Sequence, residues 1–122
     1  MTTQVGSLIS VSAQGAGTLN SADQNNIHGR GLKVVIDITV TGTLSMTVAI
    51  QGKDPISGKY YTMLISAALT SVATTVLTLF PGATASANVV ANDQLPTIWR
   101  VQAVVGGGAP NATFTIAASL LD

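Results

Sequence analysis

The sequence contains no cysteine and no glutamate, and it has a single histidine. Without cysteine, neither a disulfide framework nor a thiolate metal site can form. Charged residues make up 8% of the chain, against about 25% in typical soluble domains. The formal net charge is zero, which favours association. We therefore expect a neutral surface that is partly covered by partners, and no nucleic-acid partner, because clustered Lys and Arg are missing.

This scarcity of ionisable groups also limits catalysis. His28 lies in the turn-rich segment NNIHGRG, where a solvated side chain is expected. The five Asp residues show no paired spacing of the kind that glycoside hydrolysis uses, and no GxSxG motif is present. The sequence therefore predicts no catalytic residue, no cofactor and no enzymatic activity.

Ligand-binding loops are equally poorly represented. NSADQNN, residues 20–26, only loosely resembles a calcium loop, and an Asn-rich loop that satisfies its own backbone is expected instead. Between Gly52 and Lys59 the glycine spacing is wrong for a phosphate loop, and Tyr60 stands where Ser or Thr would ligate magnesium. GGGAP, residues 106–110, is not a dinucleotide fingerprint because no helix follows it. We therefore expect no metal site and no cofactor-binding residue.

Targeting and membrane signals are weak. The N-terminus MTTQVGSLIS lacks the basic and apolar regions of a secretory signal. NAT at 111–113 is accordingly interpreted as a chance glycosylation match. Residues 63–80 are uncharged and long enough to span a bilayer, but their clustered β-branched residues favour two strands joined by a turn. No membrane partner is expected.

What is present is a series of short apolar-polar alternations separated by turn residues. The length of 122 residues predicts one domain, 1–122. The pattern predicts a single antiparallel β-sandwich of seven to eight strands, of jelly-roll or immunoglobulin-like type. The predicted strands are 7–13, 32–40, 43–51, 58–66, 73–81, 97–105 and 111–121.

The connections follow from the turn residues. A turn at 41–42 is predicted to join two strands into a hairpin, and GGGAP is predicted to join the last two strands by another turn. Residues 17–31 are predicted to form a long loop, and residues 83–96 fit either a helical turn or an irregular crossover. Trp99 is predicted to lie in the core, the alternative being a platform at the sandwich rim for carbohydrate or a partner.

The segment IQGKDPISGKYY, residues 50–61, concentrates charge in this nearly neutral chain. Asp54-Pro55 begins a turn and Ser57-Gly58 closes it, so a β-hairpin tip is predicted. Charged residues at such a tip maintain solubility and can contact a partner. The predicted interface residues are Lys53, Asp54, Lys59, Tyr60 and Arg100.

Five segments together carry a family resemblance: LNSADQNN, RGLKVVIDITV, MTVAIQGKDPISGKYYTML, TTVLTLFPG and LPTIWRVQAVV. They resemble small β-sandwich proteins of tailed double-stranded DNA bacteriophages and prophages, which are encoded among the virion structural genes. The resemblance covers most of the chain from residue 19 onward. Its most specific parts, the hairpin IQGKDP-SGKYY and the strand from Leu95 to Val101, contain no catalytic motif.

The resemblance implies a capsid decoration, or cement, protein that binds the major capsid protein on the outer shell surface and stabilises it. It further implies a homo-oligomer, with a trimer favoured, made in the host bacterial cytoplasm and located in the virion. Residues 1–15 are then expected to form an extended arm on the shell. The alternative is a phage tail, head-tail accessory or receptor-binding module.

Overall fold

The computed structural model describes residues 4–121. All regular secondary structure within these residues is β-strand. The strands are β1 Gln4–Gln14, β2 Gly17–Asn20, β3 Gln24–Asn25, β4 Gly31–Lys53, β5 Tyr60–Ile65, β6 Ala73–Leu79, β7 Val90–Ala91 and β8 Ile98–Leu121. All pairings are antiparallel except that of β6 with β7, which is parallel. The predicted all-β class is confirmed.

The two long strands β4 and β8 form the spine of the fold. They pair antiparallel from Gly31 opposite Leu121 to Gly52 opposite Trp99. The first half-sheet is built on β4 residues 31–38, with β8 and β1 on one side and β6 and β7 on the other. The second half-sheet is built on β4 residues 45–53, with β8, β2 and β3 on one side and β5 on the other.

The core lies between the two half-sheets. Ile36 of the first and Val48 of the second are fully buried and belong to one hydrophobic cluster. An isolated single sheet would leave both of its faces in water, and no helix covers this one within residues 4–121. The inward faces therefore bury each other, which is the packing of a β-sandwich.

Glycine-containing irregularities allow the spine to fold over. Register shifts lie between Ile38 and Val40, between Val40 and Gly42, and between Thr43 and Ser45. Gly42 and Gly107 have positive φ, at 58° and 115°. Such bulges bend a strand and increase its twist, and here they bend both long strands between the half-sheets.

Two predicted turns are wrong at these bends. The hairpin predicted at 41–42 does not form, because β4 runs through this position and pairs with β8 on both sides of it. The turn predicted at 106–110 is likewise part of β8, where Gly42 lies opposite Pro110. The same shifts turn Val40 outward, where it is 45% exposed, although alternation predicted that it faced inward.

The first strand and a segment predicted to be a loop are both attached to β8, and the strand predicted at 7–13 forms within β1. Residues 4–14, within the expected arm of residues 1–15, form β1, and Ile9 is buried in the core. The predicted loop at 17–31 contains β2 and β3, which are edge strands on the same neighbour. Removal of residues 1–15 would therefore take away part of the sandwich, and not merely a shell-binding arm.

The structure also gives the conformation of residues 63–80 and 83–96. Residues 63–80 form the end of β5, a connection and β6, as the strand interpretation predicts. In the undecided stretch 83–96 the chain forms turns and the short strand β7. Within residues 4–121, no helix has the length and apolar character needed to cross a membrane.

Candidate interface at the hairpin end

The β4–β5 hairpin forms one end of the second half-sheet. Lys53 pairs with Tyr60, and between them Asp54 N donates to Lys59 O at 2.8 Å. The Asp54 carboxylate accepts from Ile56 N at 3.0 Å and from Ser57 Oγ at 2.7 Å. These bonds lower the pKa of Asp54, the Ile56 contact contributing most. The predicted hairpin tip is confirmed, and Asp54 stabilises its turn.

A second acidic residue connects this hairpin to the neighbouring edge of the sheet. Asp23, between β2 and β3, accepts from Lys53 Nζ at 2.8 Å and from Tyr60 OH at 2.6 Å. The guanidinium of Arg100 lies over the Tyr60 ring, 3.5 Å from its centroid. Lys53 and Tyr60 therefore bind one carboxylate, and Arg100 stacks on Tyr60. We call Asp23, Lys53, Tyr60 and Arg100 the Asp23 cluster.

Neutral side chains extend the Asp23 cluster across the outward face of the sheet. Arg100 Nε donates to Gln51 Oε1 at 2.9 Å, and Gln51 is 8% exposed although its side chain is polar. Gln102 donates to Asn20 Oδ1 at 2.9 Å. The cluster thus joins β8, β4 and β5 to the segment before β3 with directed polar contacts.

Asp23 and Lys53 shift each other's protonation. The hydrogen bond from Lys53, followed by the one from Tyr60, lowers the pKa of Asp23 below its ordinary value of 3.8. The bond to Asp23 raises the pKa of Lys53 above its ordinary value of 10.5. The contribution of Asp23 to stability is thus present above pH 3.8 and is lost as pH falls through its lower folded pKa. That of Lys53 is present below pH 10.5 and is lost as pH rises through its higher folded pKa.

We expect Asp23→Asn to reduce the free energy of unfolding at pH 7, because the variant loses the ion pair with Lys53. The deficit should shrink as pH falls below 3.8, where the wild-type carboxylate itself becomes protonated. Denaturant unfolding across this pH range measures it, with Asp93→Asn in the loop before β8 as the matched control. A deficit that does not change with pH would contradict the assignment.

An open groove lies beside the hairpin tip. It has a volume of about 720 Å³ and is lined by Lys53, Asp54, Pro55, Tyr61, Pro96, Thr97 and Ile98. The Tyr61 ring covers Gly52, where an added Cβ would lie 2.5 Å from the ring. Next to the groove on the tip, Ile56 is 95% exposed. Apolar and charged groups therefore occur together at this end of the molecule.

The structure brings together three of the predicted interface residues, Lys53, Tyr60 and Arg100. It leaves Asp54 and Lys59 at the hairpin tip, where Lys59 is exposed and Asp54 is half-buried. Sequence reasoning missed Asp23 as the centre of the cluster. Ile56 was also missed, although a large apolar residue in a charged turn was visible in the sequence.

Other candidate residues occupy ordinary structural positions. Trp99 is fully buried, which confirms its core assignment. Asn26 accepts from Gly29 N at 2.8 Å and donates to the carbonyl oxygens of Gly29 and Leu95, as expected of an Asn-rich loop. His28 is exposed in that loop. Across residues 4–121, no three acidic, His or Cys side chains come together as a metal site would require.

Fold and surface define an all-β domain with a folded-over spine and a charged, partly apolar hairpin end. No protein-family model matches the sequence, and no curated protein matches it. A chain in the structure of infectious bursal disease virus, Gx strain, is similar in fold, with a TM-score of 0.50 and 12% identity over 98% of the present chain. The present chain covers 32% of that viral chain. At this identity the similarity shows the fold alone.

Proposed function

We propose that this protein is a structural component of a virion and has no enzymatic activity. The observation that carries the proposal is the similarity in fold to a viral chain, which extends over 98% of the sequence. The resemblance of several segments to small virion proteins of tailed phages supports the same role. The scarcity of ionisable side chains fits a protein whose work is binding and not bond chemistry.

Within the virion, we propose the role of a capsid decoration protein that binds the outer surface of the major capsid shell. A decoration protein occupies many equivalent sites, so modest contacts per copy are sufficient when identical copies associate. A homo-oligomer, for which the resemblance favours a trimer, would supply that multiplicity. A tail or head-tail accessory module is the alternative that the same resemblance permits.

The hairpin end is the surface we propose for contact with the shell. Interface centres are commonly apolar with a polar rim, and here Ile56 and Tyr61 lie beside Lys53, Asp54 and Lys59. The Asp23 cluster fixes the base of the hairpin through two hydrogen bonds to one carboxylate. Less side-chain and loop freedom is then lost on binding, which favours affinity.

Ile56→Asp is expected to weaken binding to purified shells at least about tenfold, because it places a charge at the centre of the apolar contact. Co-sedimentation of the purified protein with shells that lack it measures the affinity. Val72→Asp is the matched control, since Val72 is also exposed, at 61%, but lies just before β6 beside the bend of β4.

The possible results test the decoration role and the proposed contact surface separately. Binding to shells that is lost in Ile56→Asp and kept in Val72→Asp supports both. Equal binding by both variants and the wild type would reject the hairpin end as the contact. No binding of the wild-type protein to shells, together with binding to isolated tails, would reject the decoration role in favour of the tail alternative.

A further inference from the structure

The outward face of the first half-sheet has a pattern that the proposed capsid contact does not use. Three rows of cross-strand neighbours run over β8, β4 and β6: Ala117–Val35–Val76, Ser119–Lys33–Thr78 and Thr115–Asp37–Thr74. We call this surface the Val35 face. Its central row is apolar, and the two flanking rows carry hydroxyl groups and one charge each.

The side chains of the Val35 face are available for contact. Val76 is 39% exposed, Lys33 and Asp37 are exposed, and Val35 is half-buried between them. Asp37 accepts a 3.3 Å hydrogen bond from Thr74 Oγ1, which fixes its carboxylate within its row. The face thus combines an uncharged centre with two opposite charges at equal spacing along β4.

This arrangement is self-complementary. Lys33 and Asp37 lie on the same face of the sheet as Val35, two residues before it and two residues after it on β4. Each is about 6.6 Å from Val35 at roughly 3.3 Å per residue. Two copies can pack face to face about a two-fold axis. This axis lies midway between the two sheets, is perpendicular to the strands and passes over Val35. Lys33 of each copy then lies opposite Asp37 of the other, and Val35 lies opposite Val35.

The charges also select between the possible two-fold axes. An axis parallel to the strands would place Lys33 opposite Lys33 and Asp37 opposite Asp37, and like charges in opposition disfavour a complex. Packed sheets usually cross at about 30°. About the favoured axis, this crossing moves Lys33 of one copy only about 3 Å sideways from its position opposite Asp37 of the other. Sheets pack about 10 Å apart, a gap that the long Lys33 side chain and Asp37 bridge together.

The area is at the lower limit for a specific dimer. Four strands, β1, β8, β4 and β6, at about 4.8 Å spacing, and the eight β4 residues 31–38 at about 3.3 Å, give a face of about 19 by 26 Å. Two such faces cover on the order of 1,000 Å², the area from which a biological interface is expected. We propose that the Val35 face binds the Val35 face of a second copy of this chain, forming a two-fold dimer.

Charge reversal tests this dimer directly. Lys33→Asp places two acidic residues on the face, so each copy would oppose like charges, and we expect dimerisation to weaken at least about tenfold. Asp37→Lys should act in the same way with two basic residues. The double variant, with both changes, exchanges the charges and should dimerise again. Lys59→Asp is the control, because Lys59 is exposed on the hairpin tip, away from this face.

Sedimentation equilibrium of the full chain reports the mass at a range of concentrations, after fluorescence of the buried Trp99 has shown that each variant is folded. The mass of the wild type should approach twice the 12.3 kDa of one chain. Mixing the two single variants should restore dimers as mixed pairs, a result that does not depend on the folding of the double variant. The dimer competes with the trimer that the resemblance favours. Wild-type protein that remains monomeric, or that forms this trimer without dimers, would overturn the dimer, as would single variants that dimerise normally.

The Val35 face is separate from the hairpin end, so either surface can fail without the other. A wild-type protein that binds shells but forms no dimers would reject only the Val35 pairing. A wild-type protein that forms dimers but does not bind shells would reject only the proposed capsid contact.

Discussion

Replacement of Gly107 by alanine is expected to lower the free energy of unfolding by about 2 to 5 kcal/mol. Gly107 has φ +115°, a conformation that costs an L-residue roughly 1–2 kcal/mol. An added Cβ would also collide with the carbonyl oxygen of Thr43 in the paired strand β4, and overpacking of this kind costs typically 1–3 kcal/mol. Both costs arise because β8 bends at this position against its neighbour.

Gly108 provides the matched control for this prediction. It is the next residue along the chain, yet an added Cβ would find its nearest neighbour, the Thr43 methyl group, at an ordinary 3.7 Å. Gly108→Ala is therefore expected to change stability by less than about 0.5 kcal/mol. Denaturant unfolding of both variants measures the difference, and equal effects at the two glycines would contradict the described bend of β8.

Trp99→Ala is expected to lower the free energy of unfolding by about 3 to 5 kcal/mol, the usual cost of emptying a large buried aromatic site. Trp99 is fully buried in the second half-sheet, opposite Gly52 on β4 and Gln24 on β3. Its loss would leave a cavity where the two half-sheets meet. Chemical denaturation followed by circular dichroism reports this loss, since the variant has no tryptophan to observe by fluorescence.

Trp99→Phe separates packing from polarity at the same site. The indole Nε1 is buried without a hydrogen-bond partner, and an unpaired buried donor itself costs roughly 1–3 kcal/mol. Phenylalanine keeps an aromatic ring in the core and removes that donor, so we expect a loss well below that of Trp99→Ala. Comparable losses in the two variants would contradict the unpaired state of the indole Nε1.

Alternation along the strands predicted most of the core. Trp99 and Val101 face inward while Arg100 faces outward, because successive side chains of a strand point to opposite faces whatever its partner is. The prediction fails at Val40, where register shifts change the face on which the side chain lies. Periodicity therefore identified inward residues correctly wherever pairing was regular.

The connectivity was harder to predict, because glycine-rich segments serve two structural purposes. Thr41-Gly42 and residues 106–110 have the composition of hairpin turns, and a bulge within a strand uses the same positive-φ glycines. The deciding factor is the pairing of Gly42 with Pro110. Contact between positions so far apart in sequence cannot be inferred from either segment alone.

The candidate site shows the same division. The hairpin tip was predictable because Asp54, Pro55 and Gly58 act locally in a turn. The role of Asp23 depends on the positions of β3, β4 and β5 in the folded sheet, since Lys53 lies 30 residues away in sequence. Nothing in the sequence distinguished Asp23 among the chain's five Asp residues, because its partners are brought to it only by the folded topology.

We propose that this chain is a structural protein on the outer surface of a virus shell. A cryo-electron microscopy map of the parent virion, searched for the folded-over sandwich, tests this proposal. We expect densities of 12.3 kDa per copy on the outside of the capsid shell, with the β4–β5 hairpin facing the major capsid protein. Such densities on the tail alone, or nowhere on the particle, would contradict it.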